Sequence, residues 1–247
     1  MRARRVIAIT GAGGTLGSAI SHHLAGQAPT DLVLSDLSAA ALEATEAGLE
    51  EEQAELATVL ADVTDLAQVE HVVARAVETF GRLDVFISNA GVLNANGRIH
   101  NLATEEWERA FRVNVMGAVN AIRAAAPVMR RQQSGSIILT ASVAGITAWT
   151  HAAPYCATKA AVIQLAKVAA VEYARDGIRV NCVCPGTFLS AMHGELPAEA
   201  IEATRVKHPL GLGSADDLVG VYEYLASDAA RWTTGSAIVV DGGYSAP

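Results

Sequence analysis

Arg5-Val6-Ile7-Ala8-Ile9 runs directly into Thr10-Gly11-Ala12-Gly13-Gly14-Thr15-Leu16-Gly17, and this joint between an apolar run and a glycine cluster decides the fold. Met1-Arg2-Ala3-Arg4-Arg5 has the twin-arginine look of a secretion signal, but the apolar run after it is too short for one. We read the run as a first strand. Residues 16–25 then take up a helical pattern, so the glycines form a strand-to-helix turn. Such a turn brings backbone N–H groups to a helix N-terminus, an arrangement that cradles a dinucleotide pyrophosphate and that a Cβ would obstruct. Any tight turn uses glycine, so the cluster alone leaves a purely structural reading open.

Outward from this joint, short β-branched runs recur at 5–9, 32–35, 57–60, 85–88, 136–140, 179–184 and 237–240, separated by longer Ala-, Leu- and Glu-rich segments. Several are apolar at consecutive positions, as expected of parallel strands covered by helices on both faces. Alternating strand and helix with right-handed crossovers predicts an α/β fold: a doubly wound seven-stranded parallel sheet flanked by helices. No linker or repeat divides the chain, so 1–247 is read as a single domain. Two helical segments, 105–129 and 152–174, are apolar around most of their circumference. They should be buried on two faces, either within the monomer or, the reading we take, at a subunit interface.

Asp36 ends the second run, 19 positions after Gly17. That is close to the offset, about 20 residues, at which a carboxylate meets the adenosine ribose hydroxyls. It would repel a 2′-phosphate; with Leu37 beside it and no Lys or Arg in the turn, NAD is expected over NADP. The alternative is that Asp36 merely starts a turn or caps the helix near Ser38.

Tyr155-Cys156-Ala157-Thr158-Lys159 sets a phenol and an ammonium on one face of a helix. A tyrosine with pKa about 10 is a poor base at neutral pH, and a neighbouring lysine cation together with a positively charged nicotinamide ring would favour its phenolate. Ser142 ends the fifth run, Asn89-Ala90-Gly91 follows the fourth and Cys184-Pro185-Gly186-Thr187 follows the sixth. The polar and glycine-rich elements therefore converge on the carboxyl ends of the strands, where doubly wound sheets hold their ligands.

With these elements, together with Asp62-Val63, Asn114-Val115-x-Gly117, Asn181 and Thr234-Gly235 to Asp241-Gly242-Gly243, the chain resembles the short-chain dehydrogenase/reductase family, classical type, over essentially its whole length. The resemblance implies a Rossmann fold, a bound nicotinamide cofactor and often a homotetramer built on the two apolar helices. Carried over, Tyr155 is the general acid/base, Ser142 binds the substrate oxygen, Lys159 holds the nicotinamide ribose and lowers the Tyr155 pKa, and Asn114 supports a water in a proton relay. The implied cofactor contacts are Gly11, Gly13, Gly14, Thr15, Leu16 and Gly17 in the turn, Asp36 and Leu37, Asp62 and Val63 at the adenine, Asn89, Ala90 and Gly91 along the cleft, Tyr155 and Lys159, and Pro185, Gly186, Thr187 and Ser190 near the nicotinamide. Two positions depart from the pattern. Thr15 replaces the usual middle glycine, so Gly11, Gly14 and Gly17 follow the spacing of the extended branch, and Ser190 stands for a usual threonine.

On the substrate side, 187–213 is expected to form a short lid, with Met192 facing the substrate along with Ser142, Tyr155, Trp149 and His151; His193 and Leu196, and Leu93, Asn94, Asn96, Arg98 and His100 on the other rim, are read as loop surface. The formal charge of −8 and scattered Lys and Arg give a polyanion no favourable field, so no nucleic-acid partner is expected. No uncharged stretch is long enough to cross a bilayer, and the three cysteines (156, 182 and 184) show no metal-ligand spacing. A cytoplasmic protein without metal is expected. Lacking a basic cluster for a carrier protein or coenzyme A, the site should take a small neutral, potentially cyclic, secondary alcohol or ketone. The competing readings are a catalytically inactive relative that senses NAD(H), whose usual mark is loss of the tyrosine or lysine, and a purely structural oligomer, which leaves Asp36 and the glycine turn without a role.

Overall fold

The computed structural model describes residues 4–27, 29–49, 54–93, 96–190 and 198–246. All seven expected strands are present: β1 Arg5–Thr10, β2 Thr30–Asp36, β3 Leu56–Leu60, β4 Val85–Ser88, β5 Gly135–Thr140, β6 Ile178–Pro185 and β7 Ala237–Val240. They pair in parallel in the order β3-β2-β1-β4-β5-β6-β7. The winding reverses between β1 and β4, where the connections leave to opposite sides and a crevice opens beyond the strands' carboxyl ends.

Each face of the sheet has its own apolar layer. Val6, Ala8, Phe86, Ile137 and Val180 look toward one set of helices, and Ile7, Ile9, Leu32, Leu34 and Ile87 toward the other. Because neighbouring residues point to opposite faces and both faces are covered, the strands read as unbroken apolar runs. Helices α1 (Thr15–Ala25), α2 (Ala39–Ala47) and α8 (Asp216–Ala226) cover the second face; α3 (Leu66–Phe80), α5 (Gly117–Gln132) and α6 (Ala153–Tyr173) cover the first. Ser38 and Asp65 cap α2 and α3 by accepting from the N–H groups of Ala41 and Ala67.

The segment expected as one helix over 105–129 is interrupted. It comprises α4 (Thr104–Ala110), a π-helical stretch Phe111–Met116, and α5. The wider turn lets Asn114 face inward, buried, where its side-chain Oδ1 accepts from Val92 N (2.8 Å) and its Nδ2 donates to Val92 O (3.0 Å) and Thr158 Oγ1 (3.1 Å). A buried amide needs those partners. A further short helix, α7 (Ala198–Arg205), lies within the region expected to form the lid.

Candidate active site

The crevice at the winding reversal is a cavity of about 800 Å³. Its floor is the glycine turn. Gly11 has φ +67°, and a Cβ on Gly17 would lie 2.0 Å from the Gly11 carbonyl oxygen, so both positions require glycine for the turn to close onto α1. Gly14, the N-cap of α1, offers the helix no side-chain acceptor. Gly11, Gly14, Thr15 and Leu16 line the cavity. Gly13 and Gly17 are not among its lining residues: Gly13 packs against Ala41, and its N–H donates to Asp36 Oδ2 at 3.0 Å.

That last bond corrects a simplification. Asp36 lines the cavity at the end of β2, as expected, but one carboxylate oxygen is tied to the turn and the other accepts from Ser38 N at 3.0 Å. The turn-starting role weighed against ribose binding is therefore real, and it also fixes the carboxylate's orientation at the mouth of the cleft. Leu37, 74% exposed, stands beside it. Asp62, Val63, Asn89, Ala90, Gly91, Pro185, Gly186, Thr187 and Ser190 all line the same cavity.

At its far end the topology gathers Ser142, Tyr155 and Lys159. Ser142 follows β5 and starts a short 3-10 turn, its Oγ accepting from Ala144 N at 3.1 Å. It also acts on the Tyr155 phenol, pulling its pKa down. Lys159, one helical turn after Tyr155, is 4% exposed, lies 5.6 Å from the centre of the Tyr155 ring and donates from Nζ to Thr140 O at 2.8 Å. Among the described residues no carboxylate pairs with it.

Burial moves both groups. It brings the Lys159 ammonium from 10.5 down to about 8, opposed by the thiols of Cys184 and Cys182. Burial also pushes the Tyr155 phenol up, against the pull of Ser142. The expected lowering depends on a nicotinamide cation as well as on Lys159; without that cation, desolvation outweighs the Ser142 interaction. Cys182 and Cys184, two positions apart on β6, are buried and unbridged.

Other expectations divide. Trp149 lines the cavity, its ring 6.1 Å from that of Tyr155 at 27°. His151 is exposed, is not among the residues lining the cavity and adopts φ +68°; its carbonyl accepts from Gly97 N at 3.1 Å. Asn114 stands behind the Gly91-Val92 wall with its amide fully engaged. Met192, His193, Leu196 and Asn94 lie outside the described residues. The two ends of the expected lid are tied together by a Phe188–Gly213 bridge and by Leu189 N donating to Gly213 O at 2.9 Å.

Several participants escaped the sequence reading. Arg109 and Arg112 line the cavity from α4 and the π-helical stretch. Tyr244 meets Trp149 edge-on (6.4 Å, 83°) and stacks on the buried His208 (4.8 Å, 29°), whose Nε2 accepts from Thr187 N at 3.2 Å. None carries a local signal: the two arginines look like ordinary solvated helix residues, and His208 and Tyr244 are brought there by a loop and the C-terminal tail.

The residues fit a dinucleotide. The cavity runs from an acidic residue at the end of β2, over a helix N-terminus lacking a side-chain cap, to a buried cation that no carboxylate among the described residues pairs with.

A family model described as enoyl-(acyl carrier protein) reductase matches residues 11–245. Levodione reductase of Leifsonia aquatica is 35% identical over 253 residues, covering 98% of this chain and 94% of the relative. The 2-(S)-hydroxypropyl-CoM dehydrogenase 3 of Xanthobacter autotrophicus is also 35% identical, with 98% and 96% covered. Among solved structures, a levodione reductase superposes with TM-score 0.92 at 34% identity (98% of both chains), and an NAD+-bound xylitol dehydrogenase with TM-score 0.93 at 28% identity (98% of this chain, 100% of the other).

Proposed function

The chain belongs to the short-chain dehydrogenase/reductase family, and on that footing we propose that it is an NAD-dependent oxidoreductase interconverting a secondary alcohol and a ketone, with Tyr155 as general acid/base. The carrying observation is the convergence of Ser142, Tyr155 and Lys159 at one end of a cavity whose other end is Asp36. When bound, the nicotinamide would take up or return the hydride.

The side chains supply the rest. Ser142 holds the substrate oxygen beside the phenol, Tyr155 gives that oxygen a proton in ketone reduction and takes it back in alcohol oxidation, and Lys159 orients the ring and re-protonates it. A phenol pushed up by burial is protonated at neutral pH, so reduction starts from the ready form, while oxidation needs the phenolate and should quicken with rising pH. Asn114, its side chain held by Val92 and Thr158, is the residue that would support a water in a proton relay. Lys159, seated on Thr140 O behind that residue, is the group such a relay would serve.

The Asp36 carboxylate favours NAD over NADP, and the NAD+-bound relative is in keeping with this; Arg109 and Arg112 on the same cavity are the groups working the other way. The substrate is read as a small neutral alcohol or ketone, with the stacked Trp149 and Tyr155 rings suited to a cyclic one. Phe111 (38%), Met116 (44%), Val168 (45%) and Val171 (80%) are exposed on the helices noted for excess apolar surface, and we assign that surface to a homotetramer.

A screen of secondary alcohols with NAD, followed by NADH absorbance, tests the reading. Tyr155→Phe should abolish turnover and leave NADH binding within a few-fold; most activity surviving in that variant would assign the proton to another group.

A further inference from the structure

One deeply buried ionisable side chain has no part in this mechanism. Tyr222, on α8, is 0% exposed and its ring sits in the apolar layer against α1 and the sheet. Its hydroxyl lies 2.8 Å from Thr140 Oγ1. The direction of the bonds follows from a single fixed acceptor. The Gly11 carbonyl only accepts, so Asn89 presents Nδ2 to it (3.1 Å) and leaves Oδ1 to accept from Thr140 Oγ1 (3.2 Å). The one Thr140 hydroxyl proton is thereby committed, and Tyr222 must be the donor to Thr140.

The chain Tyr222, Thr140, Asn89, Gly11 thus crosses from a helix outside the cleft to the glycine turn. Thr140 touches the catalytic cluster as well, because its main-chain oxygen is the seat of Lys159 Nζ at 2.8 Å. Any apolar side chain of similar size would fill the Tyr222 pocket without the desolvation cost of a hydroxyl, so packing alone does not account for a phenol there.

We propose that Tyr222 is a positioning residue: its hydroxyl pins Thr140, and through Thr140 it fixes both the seat of Lys159 and the Asn89 contact that shapes the Gly11 turn. Burial pushes the Tyr222 phenol up, so it remains a donor across the working pH range and the direction of the chain does not change. The effect on cofactor binding rests on the dinucleotide reading of the cleft; the effect on Lys159 does not.

The test is Tyr222→Phe, which keeps the ring and removes only the donor. NADH affinity is measured by fluorescence titration. Lys159 is followed in the cofactor-free protein by NMR of ε-13C-labelled lysine, assigned through its loss in Lys159→Met; Lys159, Lys167 and Lys207 are the chain's lysines. Tyr155, Cys182 and Cys184 are the titratable groups facing Lys159 and are unchanged in the variant. Loss of one buried hydrogen bond should weaken NADH binding by about five- to ten-fold, and Lys159 should titrate at lower pH because its carbonyl acceptor is no longer held opposite it.

Thr140→Val should reproduce both changes from the other side of the bond, and Thr140→Ser should restore them, which keeps the proposal testable if Tyr222→Phe does not fold. If Tyr222→Phe binds NADH like the parent and Lys159 titrates unchanged, Tyr222 is a packing residue only and the proposal is wrong. If the parent itself binds no NADH, the dinucleotide reading fails, and the Lys159 titration alone decides for or against the positioning role.

Discussion

Replacing Lys159 with methionine should make the protein inert and its fold more stable. The ammonium is 4% exposed and burial lowers its pKa from 10.5 to about 8. At about 1.4 kcal/mol per pH unit, this means that holding the charge in the folded state costs about 3 kcal/mol. Methionine removes that cost but leaves the Thr140 carbonyl without its donor, a loss of about 1–2 kcal/mol. The net gain is about 1–2 kcal/mol, at about 2–4 °C of melting temperature per kcal/mol for a chain of this size.

The pH dependence isolates the cause. With a folded pKa below the unfolded one, the unfolded chain binds more protons between about 8 and 10.5, so the parent gains stability as pH rises through that window and carries the full penalty below it. Urea denaturation of parent and Lys159→Met at a series of pH values should show the gap widest below pH 8 and closing toward 10.5. A gap that does not change with pH, or a parent more stable than the variant below that window, would refute the reasoning: Lys159 would then not be a desolvated cation.

Three other outcomes follow from the geometry. Gly17→Ala improves intrinsic helix propensity by about 1 kcal/mol, yet its Cβ would stand 2.0 Å from the Gly11 carbonyl oxygen; a lower melting temperature and weakened NADH binding are expected, and a stabilised variant with intact binding would show that the turn yields. Asp36→Ser removes the charge facing a 2′-phosphate, so kcat/KM should rise for NADP and fall for NAD; an unchanged ratio would place cofactor choice on Arg109 and Arg112. Light scattering should give a tetramer for the parent and smaller species for Val171→Glu, which sets a charge on a valine 80% exposed in one subunit; a monomeric parent would remove the tetramer reading.

What the sequence determined by itself was set by short-range rules. Consecutive apolar β-branched residues, a glycine joint at 10–17 and alternating helical segments were enough to place all seven strands, because a parallel sheet covered on both faces leaves that pattern in every strand. The carboxyl-end location of Asp36, Asn89, Ser142 and Pro185 followed from strand boundaries alone. Tertiary structure decided whatever depends on what a side chain meets across the fold. Within the π-helical stretch the amide of Asn114 meets the backbone of Val92, 22 positions away in the chain. His151 sits exposed at a positive φ, and desolvation, which no spacing encodes, pushes the phenol of Tyr155 up. The hydroxyl of Tyr222 meets Thr140 only because α8 packs across the sheet. Local pattern reports which residues share a strand or a helix face; solvent exclusion and long-range partners arise only when those elements stack, and they set the electrostatics of the site.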